Sequence, residues 1–361
     1  RNFNMPDVIF CRDGGNSAAK VSVFDPLRPT QGVTFLLDSL ANVTTREDVP
    51  TSISSSVLLQ PVCGVYGERA REHRARFFKQ PEYTSPPQQL LMFGALADAL
   101  ERFCPDADDV TIPVWVEGFP STHIGRGASV SALLLHDGKP HIIQKDGKKP
   151  VRVTVKQVIT QSQPYFVAVD QVFQWEDMRL TDTRGKALFA NGAVLVMDWG
   201  ASSIDYAIVT SSLKETTPDC SMRGTISFLP ALKRIAFDKT GDTIPEFELL
   251  TQVFKKKSLT WQGKEYDFSD EVAALIADVV PSVMTDIDTF LKQFSDGFAP
   301  YSALLAGGGI VHAEMAIREA FGMRFPGGIH LVKDDAGKPE PVNAIVRGMA
   351  KRGYIACQKK A

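Results

Sequence analysis

Asp198-Trp199-Gly200-Ala201-Ser202-Ser203-Ile204-Asp205 decides how this chain reads. An apolar run, Val194-Leu195-Val196-Met197, leads into it, and another, Tyr206-Ala207-Ile208-Val209, leaves it. Apolar run, short polar turn, apolar run is the pattern of two strands joined by a tight hairpin. The pattern occurs once before. Val8-Ile9-Phe10 leads into Asp13-Gly14-Gly15-Asn16-Ser17-Ala18-Ala19-Lys20, and Val21-Ser22-Val23-Phe24 follows. Glycine lets each turn bring its backbone close to a ligand, and successive N–H groups form a nest for an anion. An aspartate opening each turn is placed to hold Mg2+ through water. Two such turns facing each other would grip the phosphates of a nucleotide from both sides.

A third segment extends the pattern. Ser302-Ala303-Leu304-Leu305-Ala306 reads as a buried strand and runs into Gly307-Gly308-Gly309. A helical stretch then spans 310–321, with apolar residues at Ile310, Val311, Met315, Ile317, Ala320 and Phe321. Three glycines between strand and helix leave room for a flat ring or a sugar against bare backbone, beside a helix N-terminus.

In this order the three segments resemble the actin-like ATPases, within the wider group of sugar kinases and heat-shock chaperone ATPases. Asp13-x-Gly15 with Lys20 resembles the first phosphate loop of that group. Asp198-x-Gly200-x-Ser202-Ser203-x-Asp205 resembles the second, and Leu305-Ala306-Gly307-Gly308-Gly309 the adenosine motif. The resemblance is closest to the ParM-type plasmid-segregation actins, whose second loop also carries two hydroxyl residues before an aspartate. Pro341-Val342-Asn343-Ala344-Ile345-Val346-Arg347-Gly348 resembles their closing helix, which returns to the first domain. Residues 38–85 and 210–280 carry no matching motif. A G-x-x-x-x-G-K-[ST] loop and a G-x-G-x-x-G turn are both absent from the sequence.

The resemblance implies a two-domain α/β fold with ATP or ADP and Mg2+ in a cleft. GTP is left open. By that likeness Gly14, Gly15, Asn16 and Ser17, and Gly200, Ala201, Ser202 and Ser203, hold the phosphates. Lys20 adds a point charge, and Gly307, Gly308 and Gly309 face the nucleoside. Asp13 and Asp198 bind Mg2+ through its waters, and Asp198 also polarises the attacking water. Asp205 is read as structural, satisfying the turn. Gln161, in Thr160-Gln161-Ser162-Gln163-Pro164, stands where the ParM-type proteins carry glutamate and eukaryotic actins glutamine. Glutamine is no general base at neutral pH but orients a water by hydrogen bonding. Gln161 and Asp198 are therefore the catalytic candidates.

Composition bounds the alternatives. At 361 residues, with 44% hydrophobic and 23% charged content, the chain is long enough for two medium domains with real cores. A formal net charge of −2 supplies no general drive toward nucleic acid or anionic lipid. Lys145–Lys149 and Lys255-Lys256-Lys257 read as solvated faces. Five scattered cysteines without a C-x-x-C pair argue against a zinc or dithiol redox site and fit free thiols in a cytoplasm; Cys11 reads as a small core residue. No run is apolar enough to span a bilayer.

The expected order is domain I over 1–165, with a small inserted subdomain at about 38–85. Domain II follows over 166–340, with a small subdomain at about 238–268, and a closing helix over 341–361 returns to domain I. Strands are expected at 7–11, 19–24, 33–37, 110–116, 141–144, 151–159, 193–198, 204–210 and 224–228. Helices are expected at 88–103, 121–135, 162–175 and 269–294, the last with a break at Pro281. The strand-turn-strand opening in both halves suggests two related domains. The function this implies is an ATPase that polymerises into nucleotide-dependent filaments for plasmid or other DNA segregation in a prokaryote. Its partners would be further copies of itself and a DNA-bound adaptor, with no direct contact to membrane or nucleic acid. A small-molecule kinase on the same fold is the alternative, but the chain is short for the larger sugar kinases and lacks the cysteine-rich zinc signature of smaller ones. A monomeric nucleotide-dependent adaptor is the third reading, but neither a peptide-binding domain nor an amphipathic tail follows Gly353.

Overall fold

A computed structural model describes residues 7–14, 18–38, 40–44, 56–59, 63–66, 76–77, 83–146, 148–176, 178–294 and 299–358. The chain forms two compact units. Unit 1 holds residues 1–186 and 343–361, and unit 2 holds 187–342. The expected boundary at 165/166 falls inside unit 1, because the helix Gln163–Val172 packs on the returning helix Ala344–Gln358.

Unit 1 is built on a five-stranded mixed sheet. Its order is Val158–Ser162, Trp115–Phe119, Ile9–Gly14, Ala18–Phe24, Val33–Asp38. The first three strands run parallel, and the last three form an antiparallel meander. Strands buried on both faces are near-continuously apolar. Phe10 and Trp115 pack their rings at 4.4 Å, and Phe93 of the helix Pro86–Phe103 meets Trp115 at 6.2 Å. On the other face, a Cβ on Gly118 would touch Met349, Phe166 and Ile345, so the two helices lie directly on the sheet there. Gly348 is glycine for the same reason, since a Cβ would collide with the carbonyl of Phe166.

Three sequence expectations are corrected here. The run 110–116 is two strands in two sheets: Asp109–Ile112 and Trp115–Phe119. Pro113 stands at the break, where a residue without an N–H cannot continue a ladder. The run 151–159 likewise divides into Val151–Val155 and Val158–Ser162. The first of these joins a seven-stranded sheet, beside Asp109–Ile112 and His141–Lys145. That sheet also takes Leu40–Thr44, Ser56–Leu59, Cys63–Tyr66 and Arg76–Phe77, while the rest of 38–85 falls mostly outside the described residues. The stretch 121–135 is a 3-10 turn, Ser121–Arg126, followed by a helix, Gly127–Leu135.

Unit 2 repeats the plan. Its five-stranded sheet runs Asp219–Ser221, Ile204–Val209, Val194–Trp199, Ser302–Ala306, Ile329–Leu331. Again three strands form an antiparallel meander and the other end is parallel. The third meander strand is Asp219–Ser221; the stretch 224–228, expected as a strand, is a 3-10 turn at Thr225–Phe228. The helices Ser269–Leu291 and Ile310–Phe321 close the core, with Val272, Ile276, Val283 and Ile287 buried at helical spacing. The expected break at Pro281 does not occur: the helix runs through it.

Candidate functional site

Each Asp-Gly hairpin occupies the same place in its own sheet. Asp13 and Asp198 both lie near the end of the middle strand of five. Each has the return strand of its hairpin on one side and a parallel strand on the other. Both are 2% exposed.

In unit 1, the register sets Gln161, Gly118, Asp13 and Lys20 side by side on one row across four strands. Neighbours on one row share a face, and two strand spacings put Gln161 about 10 Å from Asp13. Gly118, between them, is covered by Met349, Phe166 and Ile345. Lys20 Nζ lies 3.3 Å from Asp13 Oδ2. Gly15, Asn16 and Ser17 lie outside the described residues. Ser162 starts the next helix, its hydroxyl accepting from Tyr165 N at 3.1 Å, so Gln161 is the penultimate strand residue before a capped helix.

One residue here was not anticipated. Gln163 Nε2 donates to Asp13 Oδ1 at 2.7 Å, so both oxygens of the carboxylate are engaged. The clue in the sequence is a polar residue beside Pro164 in a helical first turn, on the face that must pack over the sheet.

In unit 2, the turn 200–203 hands all four of its carbonyls to backbone donors. Gly200 O accepts from Thr225 N at 3.2 Å, Ala201 O from Ile226 N at 2.7 Å, Ser202 O from Gly224 N at 3.3 Å and Ser203 O from Gly200 N at 2.9 Å. In a trans peptide the N–H points opposite to its carbonyl. The N–H groups of Ala201, Ser202 and Ser203 are therefore turned away from the 224–226 segment, as in an anion nest. Gly224 permits this: a Cβ there would strike the backbone of Ala201, Ser202 and Ser203. Asp205, opposite Asp198, accepts from Ser203 Oγ at 2.6 Å and so holds a turn side chain in place.

The three glycines divide by role. Gly307 has φ +94°, and a Cβ would collide with the Trp199 carbonyl and with Asp198 Oδ1. Gly309 donates to Trp199 O at 3.0 Å, and its Cβ would meet the indole at 2.5 Å. These two are glycine because the second hairpin packs against them. Only Gly308 is exposed and faces open space. Trp199 was not singled out by sequence, since its contact partner lies about a hundred residues away. In the first turn of the following helix, His312 packs edge-on to Phe254 at 5.0 Å. Burial, then Lys257 and Lys255, push its imidazole below the usual value of 6.5. The basic run 255–257 thus bears on the residues just after the glycines, whereas Lys145, Lys148 and Lys149 are tied up in ion pairs with Asp98, Glu101 and Asp108.

Among the described residues no three acidic, histidine or cysteine side chains cluster as a metal cage. One buried carboxylate per hairpin suits Mg2+, an ion that keeps most of its waters and takes one or two carboxylates plus phosphate oxygens. Cys11 is fully buried, and burial pushes its thiol well above its usual value, which makes it an inert core residue. Among the described residues, no helix is long and apolar enough to cross a membrane.

No family model and no curated protein matches the chain. Solved structures do. The actin-like protein Alp7A superposes with a TM-score of 0.74 at 14% identity, over 97% of each chain. Ta0583, an archaeal actin homologue, superposes at 0.72 and 17% identity, over 97% of this chain and 99% of its own. ParM from Bacillus thuringiensis, solved with ATP, superposes at 0.65 and 14% identity, over 98% of this chain and all of its own. The chain has the actin-like two-domain α/β fold.

Proposed function

We propose that this actin-fold chain is an ATPase whose subunits assemble into nucleotide-dependent filaments in the cytoplasm, serving plasmid or other DNA segregation in a prokaryote. The observation that carries the reading is the repeated sheet: each unit sets a buried aspartate at the same strand end, followed by a glycine turn. The solved structures of Ta0583 with ADP and of ParM with ATP support a nucleotide as the ligand. In this reading Gly14 to Ser17 and Gly200 to Ser203 hold phosphate oxygens through backbone N–H groups, and Lys20 adds a charge. Asp13, braced by Gln163 and Lys20, and Asp198 hold the waters of Mg2+. The ion, when bound, neutralises phosphate charge. Gln161 donates and accepts hydrogen bonds that aim a water, and Asp198 polarises it. Gly308 leaves room for the nucleoside.

Assembly follows from differential affinity. Polymer contacts that fit one nucleotide state better than another couple growth to that state. Head-to-tail addition makes a filament when its rotation does not close a ring. The test is sedimentation, light scattering and electron microscopy with ATP, ADP and a non-hydrolysable analogue across protein concentrations. Filaments with ATP that disassemble after hydrolysis are expected. A strictly monomeric protein that phosphorylates a sugar or small acid would overturn the filament and establish a kinase; a monomer that hydrolyses ATP without assembling would leave an adaptor.

A further inference from the structure

Trp199 follows Asp198 in the second hairpin and is 1% exposed. Its carbonyl accepts from Gly309 N at 3.0 Å. Its ring lies against the same glycine. A Cβ on Gly309 would find Trp199 Cδ1, Cγ and Nε1 as its three nearest atoms, at 2.5, 2.6 and 3.0 Å. The edge of the indole that carries the N–H is therefore the edge that meets the glycine turn.

Packing explains an aromatic ring at this place, but not an indole. Nε1 is a donor only. In Trp199 it is buried, and among the described residues it has no hydrogen-bond partner. A buried donor left unpaired costs free energy, and native interiors hold few of them. Phenylalanine would fill the core without that cost. Trp115 shows the contrast: it is as deeply buried, and its Nε1 donates to Glu117 Oε2 at 3.0 Å. Beside the unpaired N–H the turn is open. Gly308 is exposed, with free space where a Cβ would stand. The helix Ile310–Phe321 begins at this turn and adds a positive dipole end.

We infer that the Trp199 N–H is a donor kept for the nucleoside-bound state: a nucleoside seated against Gly308 supplies its acceptor, directly or through one water. The inference rests on the proposal that the glycine turn receives the nucleoside. It makes Trp199 a residue that favours the nucleoside and is indifferent to the phosphates. A ring that only fills the core would treat adenosine and tripolyphosphate alike.

The experiment follows the indole N–H resonances of the full chain, made with isotope-labelled tryptophan, as adenosine, ADP or tripolyphosphate is added with Mg2+. The four tryptophans give four such resonances, and the one missing from Trp199→Phe belongs to Trp199. Adenosine and ADP should move it downfield and slow its exchange with solvent, and tripolyphosphate should leave it in place. By calorimetry Trp199→Phe, first shown to be folded by thermal melting, should bind adenosine roughly threefold to tenfold more weakly than wild type and tripolyphosphate equally well. If that variant does not fold, Trp115→Phe, Trp175→Phe and Trp261→Phe assign the resonance by elimination, and the wild-type shifts decide. A resonance that stays in place with adenosine bound, one that moves with tripolyphosphate alone, or an unchanged adenosine affinity in the folded variant overturns the inference and leaves the nucleotide site standing. A wild type that binds tripolyphosphate but neither adenosine nor ADP, or binds none of the three, overturns the inference together with its premise.

Discussion

At the residue scale, two side chains separate binding from turnover. Asp198→Ala should lower steady-state ATP hydrolysis by orders of magnitude while circular dichroism stays native; normal turnover would remove Asp198 from the chemistry. Gln161→Ala should slow hydrolysis and spare nucleotide affinity, because a water-positioning group acts mainly in the transition state. Lost affinity with unchanged turnover would move the role elsewhere, and Gln163, braced on Asp13, is the first place to look. Three histidines disfavour the folded state in acid. His141 is pushed below 6.5, chiefly by burial against Phe93 and also by His136 stacked on it at 4.8 Å. His123 and His312 are lowered too, each first by burial. Below about pH 6.5 the unfolded chain takes up protons that the folded one refuses, so stability is kept above that pH and lost as pH falls through it. Urea midpoints at about pH 7.5 and 5.5 should differ in that direction, and less so in His141→Gln. A midpoint that rises on acidification would contradict the assignment.

At the element scale, two interlocks dominate. The first is the hairpin lodged against the glycine turn: Gly309→Ala should cost about 1–3 kcal/mol in chemical denaturation, since the new methyl must displace the Trp199 indole. The second is the clamp between the helices Gln163–Val172 and Ala344–Gln358. Asp170, fully buried, accepts from Lys351 Nζ at 2.7 Å and Arg347 Nη2 at 2.7 Å. Asp170→Ala leaves two cations facing each other and should cost about 3–5 kcal/mol, read as an early loss of the closing helix in hydrogen exchange. The hairpins, the Pro86–Phe103 helix and the Gly-Gly-Gly turn were legible because their signals are local: turn glycines and a regular apolar period. What was not legible is long-range. Pro113 and the pair Lys156-Gln157 mark where the chain changes sheets, but a short apolar run looks the same on either side of such a change. The partnership of Gln163 with Asp13 spans 150 positions, and only the register of three strands brings it about. Two of the three glycines owe their identity to Trp199, which no short window contains.

At the scale of the whole molecule, unit 2 is one continuous segment, while unit 1 needs both ends of the described chain. The segment 187–342 has its own core and should unfold cooperatively when expressed alone. The segment 1–186 should fold only when 343–361 is supplied, in cis or as a peptide; a stable 1–186 fragment would show the closing helix to be dispensable. The same insertion has a mechanical meaning. Residues 9 and 353 touch each other in unit 1, where Gly353 approaches Ile9 and Val116. A stretching force applied between the first strand and the last helix is thus borne by that contact and the sheet under it. Unit 2, whose chain enters and leaves through unit 1, carries no tension until unit 1 has torn open. Under load the molecule has a fuse, and it is the last helix.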